Sequence, residues 1–255
     1  MTSAWEDPEK SLAKAGPLIR NAANGGAGII IFPEQFATGW DPASRTHIEK
    51  IDGFIINSLR EFARDAGICV IGSFRERSGP HPRNTAVVIG RDGSLLTSYS
   101  KVHLFSPAGE DKAFAAGTEL GTFSLGPLKC GVAICYDLRF PELFGAYAAR
   151  GVQAVFIPAA WPASRIRHWE LFISARAAEN QMYVAGVNTT GVTPVDSYAG
   201  ATMVADPHGT IIVRAGDTEQ LIFAEMDPEI VDSARSSFPV KKDRRNELYR
   251  TLAGQ

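Results

Sequence analysis

The chain has 255 residues, 45% of them hydrophobic and 21% charged, and a formal charge of −2. A balance this close to neutral provides no field for nucleic acid, and the one basic run, Lys241–Arg245, reads as a solvated tail. No apolar segment approaches the length of a membrane span, and MTSAWEDPEK lacks the basic-then-apolar order of a signal peptide, so a cytoplasmic protein without a membrane partner is expected. The three cysteines, Cys69, Cys130 and Cys135, are odd in number and lack CxxC spacing, which suggests neither a disulfide framework nor a zinc site. No Ser/Gly/Pro-rich linker or composition break divides the chain, so residues 1–255 read as a single domain.

Asp7-Pro8-Glu9 caps a first helix carrying Leu12, Ala15, Leu18, Ile19 and Ala22, which stops at Asn24-Gly25-Gly26 and should kink at Pro17. GIIIF (28–32) is then a buried strand. The glycines thus follow a helix and precede a strand, the wrong order for a dinucleotide-binding turn. A second helix, about 53–66, leads into the strand ICVIGSF, and NTAVVIG-RDG-SLLTSYS reads as a hairpin. Strands are expected near 119–125 and 129–134. A helix to Arg150, the strand QAVFIP and a helix over about 165–180 come next. The strands MYVAGVN, AGATMVAD, TIIVR and LIFAEMD then precede a last short helix. GIIIF and QAVFIP are apolar on both faces and need cover on each. Two sheets packed face to face with helices outside satisfy that need.

Three polar residues stand just past strand ends. Glu34 follows GIIIF among Phe32, Pro33 and Phe36, surroundings that raise a carboxyl pKa and suit a general base. Lys101 follows SLLTSYS, where a fixed positive charge would serve a developing oxyanion. Cys135 ends the apolar run KCGVAI at a strand-to-helix corner, with Pro141 and Glu142 opening the helix beyond, a position that favours a thiolate. Taken singly, each has a plainer reading: a solvated loop acid, a surface lysine, a small apolar residue. Together they would supply a nucleophile, its base and an oxyanion stabiliser.

The segments FPEQF, YSKVHLF and GVAICYDLRFPE resemble the Glu-Lys-Cys motifs of the nitrilase superfamily, the carbon–nitrogen hydrolases. WPASRIRHW, ARAAENQMYVAGVN and FPVKKDRRNELY resemble its omega-amidase-like branch. The resemblance implies an α/β fold, a four-layer α-β-β-α sandwich with two mixed sheets, paired into a homodimer through helices on one face. It implies Glu34 as base, Lys101 as oxyanion stabiliser, Cys135 as nucleophile and Glu110 as a second glutamate, with Asp111 the neighbour that could displace it. Chemistry of this type is acyl transfer from a small-molecule amide, with no cofactor and no metal. The family usually opens with a strand, whereas this chain starts almost at its first helix, so one sheet is expected to lack an edge strand.

Tyr136 and Trp161 follow strand ends and are candidates for lining the pocket, and the backbone N–H of Tyr136 is a candidate second oxyanion donor. N-carbamoyl-amino-acid hydrolases of this superfamily tend to carry an Arg-Arg pair after the cysteine, and Leu138 stands in place of the first. The pattern therefore resembles amidases acting on the terminal amide of short acids, with Arg165 the candidate carboxylate anchor. The alternatives are an N-carbamoyl hydrolase of the same fold and a catalytically silent interaction protein; the latter would be expected to lack one of the three polar residues. Asp137, Arg139 and Glu142 read as a salt-bridged brace for the cysteine corner. His103 reads as a structural hydrogen-bonding residue in preference to a partner for Cys135. The other histidines show no metal-ligand spacing.

Overall fold

A computed structural model describes residues 1–252 and 254 of the chain. The first helix, α1 (Pro8–Asn24), starts where Asp7 accepts a hydrogen bond from Lys10 N and Pro8 occupies the first turn. It runs through Pro17 without a break. Pro17 and Ala13 are both exposed, so the hydrogen bond lost with the missing Pro17 N–H falls on the solvent side of the helix.

After β1 (Ile29–Ile31) come α2 (Phe54–Ala66), β2 (Cys69–Glu76), β3 (Arg83–Ile89) and β4 (Leu95–Ser100). Helix α2 ends on Gly67 at φ 65°, a left-handed stop that glycine adopts without strain. The hairpin expected between residues 84 and 100 forms as β3 and β4. A one-turn helix, α3 (Glu110–Ala113), precedes β5 (Gly121–Leu125), β6 (Leu128–Val132), α4 (Pro141–Ala149), β7 (Ala154–Ala159), α5 (Ile166–Asn180) and β8 (Tyr183–Asn188). The chain closes with a small hairpin, β9 (Thr190–Val192) and β10 (Ser197–Ala199), then β11 (Met203–Ala205), β12 (Ile211–Arg214), α6 (Pro228–Ser237) and α7 (Asn246–Leu252).

Two mixed sheets result. One has the order β1-β2-β3-β4, with only β1 and β2 parallel; the other has the order β12-β11-β8-β7-β6-β5, parallel through β8-β7-β6. Strand β3 shows how the layers are built. Val87 and Ile89 pack with Ile19, Ile55 and Leu59 of the helices on one face, while Ala86 and Val88 join the core shared with the second sheet. Helices α4 and α5 cover the far side of that sheet, which completes the α-β-β-α order. At Gly186 of β8 an added Cβ would stand 2.5 Å from both Trp169 and Ile173, so the absence of a side chain lets α5 sit directly on the sheet.

The segment LIFAEMD, expected as a strand, forms none. It lies beside the outer edge of β1, which has no strand partner among the described residues, and the two flank a cleft of about 510 Å³ lined by Ile29, Ile31, Leu125, Phe156, Val204 and Phe223. A strand-like pattern without a neighbour to bond has no ladder to join. No helix among the described residues is long and apolar enough to cross a membrane.

Candidate active site

The site lies where strands of both sheets end. Glu34 stands three residues past β1, with its backbone N–H bonded to Ala159 O at the end of β7, 3.3 Å away. Lys101 is the first residue past β4, held by its N–H to Asn84 O at 2.8 Å. Cys135 opens a tight turn two residues beyond Ile134's predecessor Ala133, past the end of β6, and adopts φ 44°. A left-handed conformation is unfavourable for a side-chain-bearing residue and marks a strained corner that lifts the thiol out of the sheet.

The charged groups converge. Lys101 Nζ donates to Glu34 Oε1 at 2.8 Å and to Glu110 at 2.9 Å (Oε2) and 3.2 Å (Oε1). Asn84 Nδ2 bridges the same two carboxylates at 2.7 and 3.0 Å. The other Glu34 oxygen accepts the Ala160 N–H at 3.1 Å, and Glu110 Oε2 also accepts Phe105 N–H at 2.7 Å. All of these side chains are buried. Burial pushes the Glu34 carboxyl above the ordinary glutamate value; Lys101 opposes that shift and Glu110 adds to it. For Glu110 burial works in the same direction, but Lys101 and the backbone donor outweigh it and hold the carboxyl low. Lys101 itself is raised: burial alone would lower it, and the two carboxylates more than reverse this. The Cys135 thiol is raised by burial first and then by the Glu34 charge, against the pull of Lys101. A protonated thiol next to an ionised, destabilised carboxylate can pass its proton over as it attacks.

The thiol opens onto a cavity of about 230 Å³, below the roughly 300–1,000 Å³ of drug-sized pockets. Tyr136, Trp161 and Arg165 all line it, together with Trp40, Phe105 and Arg139. Trp161 is fixed through its N–H to Asn188 Oδ1 at 2.7 Å and its indole N–H to Arg165 O at 2.9 Å. Tyr136 packs edge-on against Phe105 and Phe140.

The expected brace of Asp137, Arg139 and Glu142 is not what forms. Asp137 does hold the corner, but with Tyr99, His103 and Ile134 as its partners. Arg139 turns to the cavity instead, its guanidinium 4.7 Å from the Trp161 ring and 5.4 Å from that of Phe172, and Glu142 is exposed. His103 Nδ1 pairs with Asp137 at 2.8 Å, in line with a structural role. Asn84 was not anticipated, although a lone amide opening the apolar strand RNTAVVI was a visible signal. Trp40 and Phe105 had none beyond their nearness to Glu34 and Lys101. Among the described residues no group of three His, Cys, Asp or Glu side chains is placed to hold a metal ion.

The sequence pattern of the carbon–nitrogen hydrolase family matches residues 1–236. The chain belongs to the carbon–nitrogen hydrolases. It is an amide-hydrolysing enzyme of that family. Among its relatives, 2-oxoglutaramate amidase of Bacillus subtilis is 34% identical over 248 residues, covering 96% of this chain and 95% of the relative. Human omega-amidase NIT2 is 33% identical over 250 residues, covering 94% and 91%. Among solved carbon–nitrogen hydrolases, XC1258 of Xanthomonas campestris, which carries an arsenic adduct in its active site, superposes with a TM-score of 0.89 at 28% identity over 95% of this chain and 94% of its own. An amidase from Nesterenkonia, seen with acrylamide added to its active-site cysteine, gives 0.87 at 28% identity over 98% and 96%.

Proposed function

We propose that this carbon–nitrogen hydrolase cleaves the terminal amide of a short aliphatic acid whose far end is a carboxylate, 2-oxoglutaramate being the leading candidate, through a thioester on Cys135. Glu34 takes the thiol proton as sulfur attacks the amide carbonyl. The oxyanion rests on Lys101 Nζ and the Tyr136 backbone N–H. The C–N bond then breaks, and ammonia leaves with the proton from Glu34. Glu34 next deprotonates water, which adds to the thioester and releases the acid and the thiol. Glu110 keeps Lys101 in place and charged throughout.

The observation that carries the substrate class is a pair of unmatched cations. Arg139 and Arg165 both line the cavity, and neither has a carboxylate within ion-pair distance among the described residues. Arg139 is held below the usual arginine range by burial, and the Arg165 charge adds to this. Asp196 also lines the cavity but pairs with neither arginine, so two guanidiniums against one carboxylate leave an excess of positive charge among aromatic walls that favours an anionic guest. The small cavity and the names of the two relatives support the same choice, and Leu138 argues against the N-carbamoyl alternative.

The test compares specificity constants for 2-oxoglutaramate or succinamate with those for a neutral amide and an N-carbamoyl amino acid. The ω-amides of acids should lead, and Arg165→Ala should lower their kcat/KM by about 10- to 100-fold, as expected for a charge-assisted contact of about 1.5–3 kcal/mol, while sparing the neutral amide. A carbamoyl substrate better by tenfold would leave only the broader amide-hydrolase activity standing. The three free cysteines fit work in a reducing cytoplasm. Pairing into a homodimer through α4 and α5 is supported by exposed Ala146, Ala149 and Leu171; a monomer mass by light scattering at micromolar concentration would exclude it.

A further inference from the structure

Asp137 is fully buried, yet it takes no part in the charge cluster around Lys101. Its Oδ2 accepts the Tyr99 hydroxyl at 2.7 Å and the Ile134 N–H at 2.9 Å. Its Oδ1 accepts the His103 N–H at 2.9 Å and His103 Nδ1 at 2.8 Å. The donors are not scattered. Tyr99 and His103 stand two residues either side of Lys101, Ile134 immediately precedes Cys135, and Asp137 itself follows two residues later. The Tyr99 hydroxyl also receives Val102 N–H at 3.4 Å, and the His103 ring stacks on Phe140 at 3.7 Å, just before α4. One carboxylate therefore joins the end of a strand in the four-stranded sheet to the corner past a strand in the other.

We infer that Asp137 is a positioning residue for amide hydrolysis, its carboxylate stapling the chain on both sides of Lys101 to the chain around Cys135 and so fixing the ammonium against the thiol. Four donors on two oxygens leave no room for an isosteric amide. In Asp137→Asn the NH₂ group faces either the Ile134 N–H or the His103 N–H, donor against donor. A displacement of about 1 Å between reacting groups is enough to lower turnover about 100-fold.

The inference rests on the roles proposed for Lys101 and Cys135, and the experiment reads them separately. Asp137→Asn and Tyr99→Phe, made in the full chain, are compared with wild type for kcat and KM of ammonia release, for thermal midpoint, and for the rate at which iodoacetamide alkylates Cys135, followed by mass spectrometry at neutral pH. Cys69 and Cys130 line neither cavity, whereas Cys135 opens onto the one of about 230 Å³, so the reagent reaches Cys135 and the adduct is assigned to it by mass. Positioning predicts a kcat lower by about 10- to 100-fold in Asp137→Asn and about 3- to 10-fold in Tyr99→Phe, with KM within about threefold. It also predicts slower alkylation in both. Simple loss of a negative charge near the thiol would favour the thiolate and speed alkylation. The inference is overturned if the folded variants keep wild-type kcat, lose activity through KM alone, or lower the midpoint while alkylating at the wild-type rate or faster. Should Asp137→Asn fail to fold, Tyr99→Phe, which removes one hydroxyl and no charge, decides by the same readings. Loss of the alkylation signal in Cys135→Ala together with unchanged turnover would instead overturn the role of Cys135 and leave the staple without a reaction to serve.

Discussion

Replacing Lys101 by methionine removes one charge and leaves an apolar chain of similar length between Glu34 and Glu110. In the wild type the ammonium lies 2.8 Å from one carboxylate and 2.9 Å from the other, and all three side chains are at most 1% exposed. Removing one member of a buried ion pair costs about 3–5 kcal/mol, because the partner charge stays behind without compensation. Here two like charges stay behind. At about 2–4 °C per kcal/mol for a chain of this size, the midpoint should fall by roughly 6–20 °C. The sign of its pH dependence follows from the same geometry. Without the cation, a carboxyl of the folded variant must hold a proton that the unfolded chain releases near about 4.3, so its folded pKa lies above its unfolded one. Such a group contributes stability below the unfolded value and loses it as pH rises through the folded value. The deficit against wild type should therefore be largest near about pH 8 and shrink toward about pH 5. Turnover should fall by about 100-fold or more through kcat, as for loss of an oxyanion donor. Thermal unfolding of both proteins at the two pH values, with ammonia release at the higher, makes the measurement. A variant as stable as wild type at the higher pH, or one whose deficit grows on acidification, would refute the reasoning.

Cys135→Ala should release no ammonia yet unfold within a few degrees of wild type, and wild-type protein quenched during turnover should carry an acyl mass on Cys135; an active Ala variant would sink the thioester. The acid limb of kcat/KM should lie above the ordinary glutamate value of 4.5, since burial raises Glu34 and only its ionised form can accept the thiol proton. A limb at or below that value would mean another group is the base. Gly186→Ala should destabilise by about 1–3 kcal/mol through overpacking, since its methyl would meet Trp169 and Ile173 at 2.5 Å; an unchanged midpoint would show that α5 moves away freely.

The strand ends that carry Glu34, Lys101 and Cys135 were legible because each adjoins a periodic apolar run, and the side chain just past such a run has few places to go. Glu110 was legible only through resemblance. The one-turn helix that seats it has no periodicity to read, and its partners Lys101 and Asn84 lie 9 and 26 residues away. Arg139 was misread for a related reason: Asp137 looked like its local counterion, but donors 34 and 38 residues back fill both oxygens of that carboxylate and release the arginine to the cavity. LIFAEMD has the composition of a strand, and a strand exists only where a neighbour offers backbone bonds. The hairpin of β9 and β10, whose strands are three residues each, is too short for alternation to announce it.

The Glu34 carboxylate and the Lys101 ammonium reach the candidate site from one sheet and the Cys135 thiol from the other, with the two joined across the gap by the Ala160 N–H on Glu34 and by Asp137. On the proposed roles, turnover gauges how the two halves of the sandwich are seated. A slip of one residue, about 3.3 Å along a strand, would part thiol from carboxylate while leaving every ladder within each sheet intact. Helix and strand content would register nothing of it. A population losing its native docking should, on those roles, lose catalysis before its secondary structure, and a fragment holding either sheet alone would carry only the thiol or only the carboxylate and ammonium.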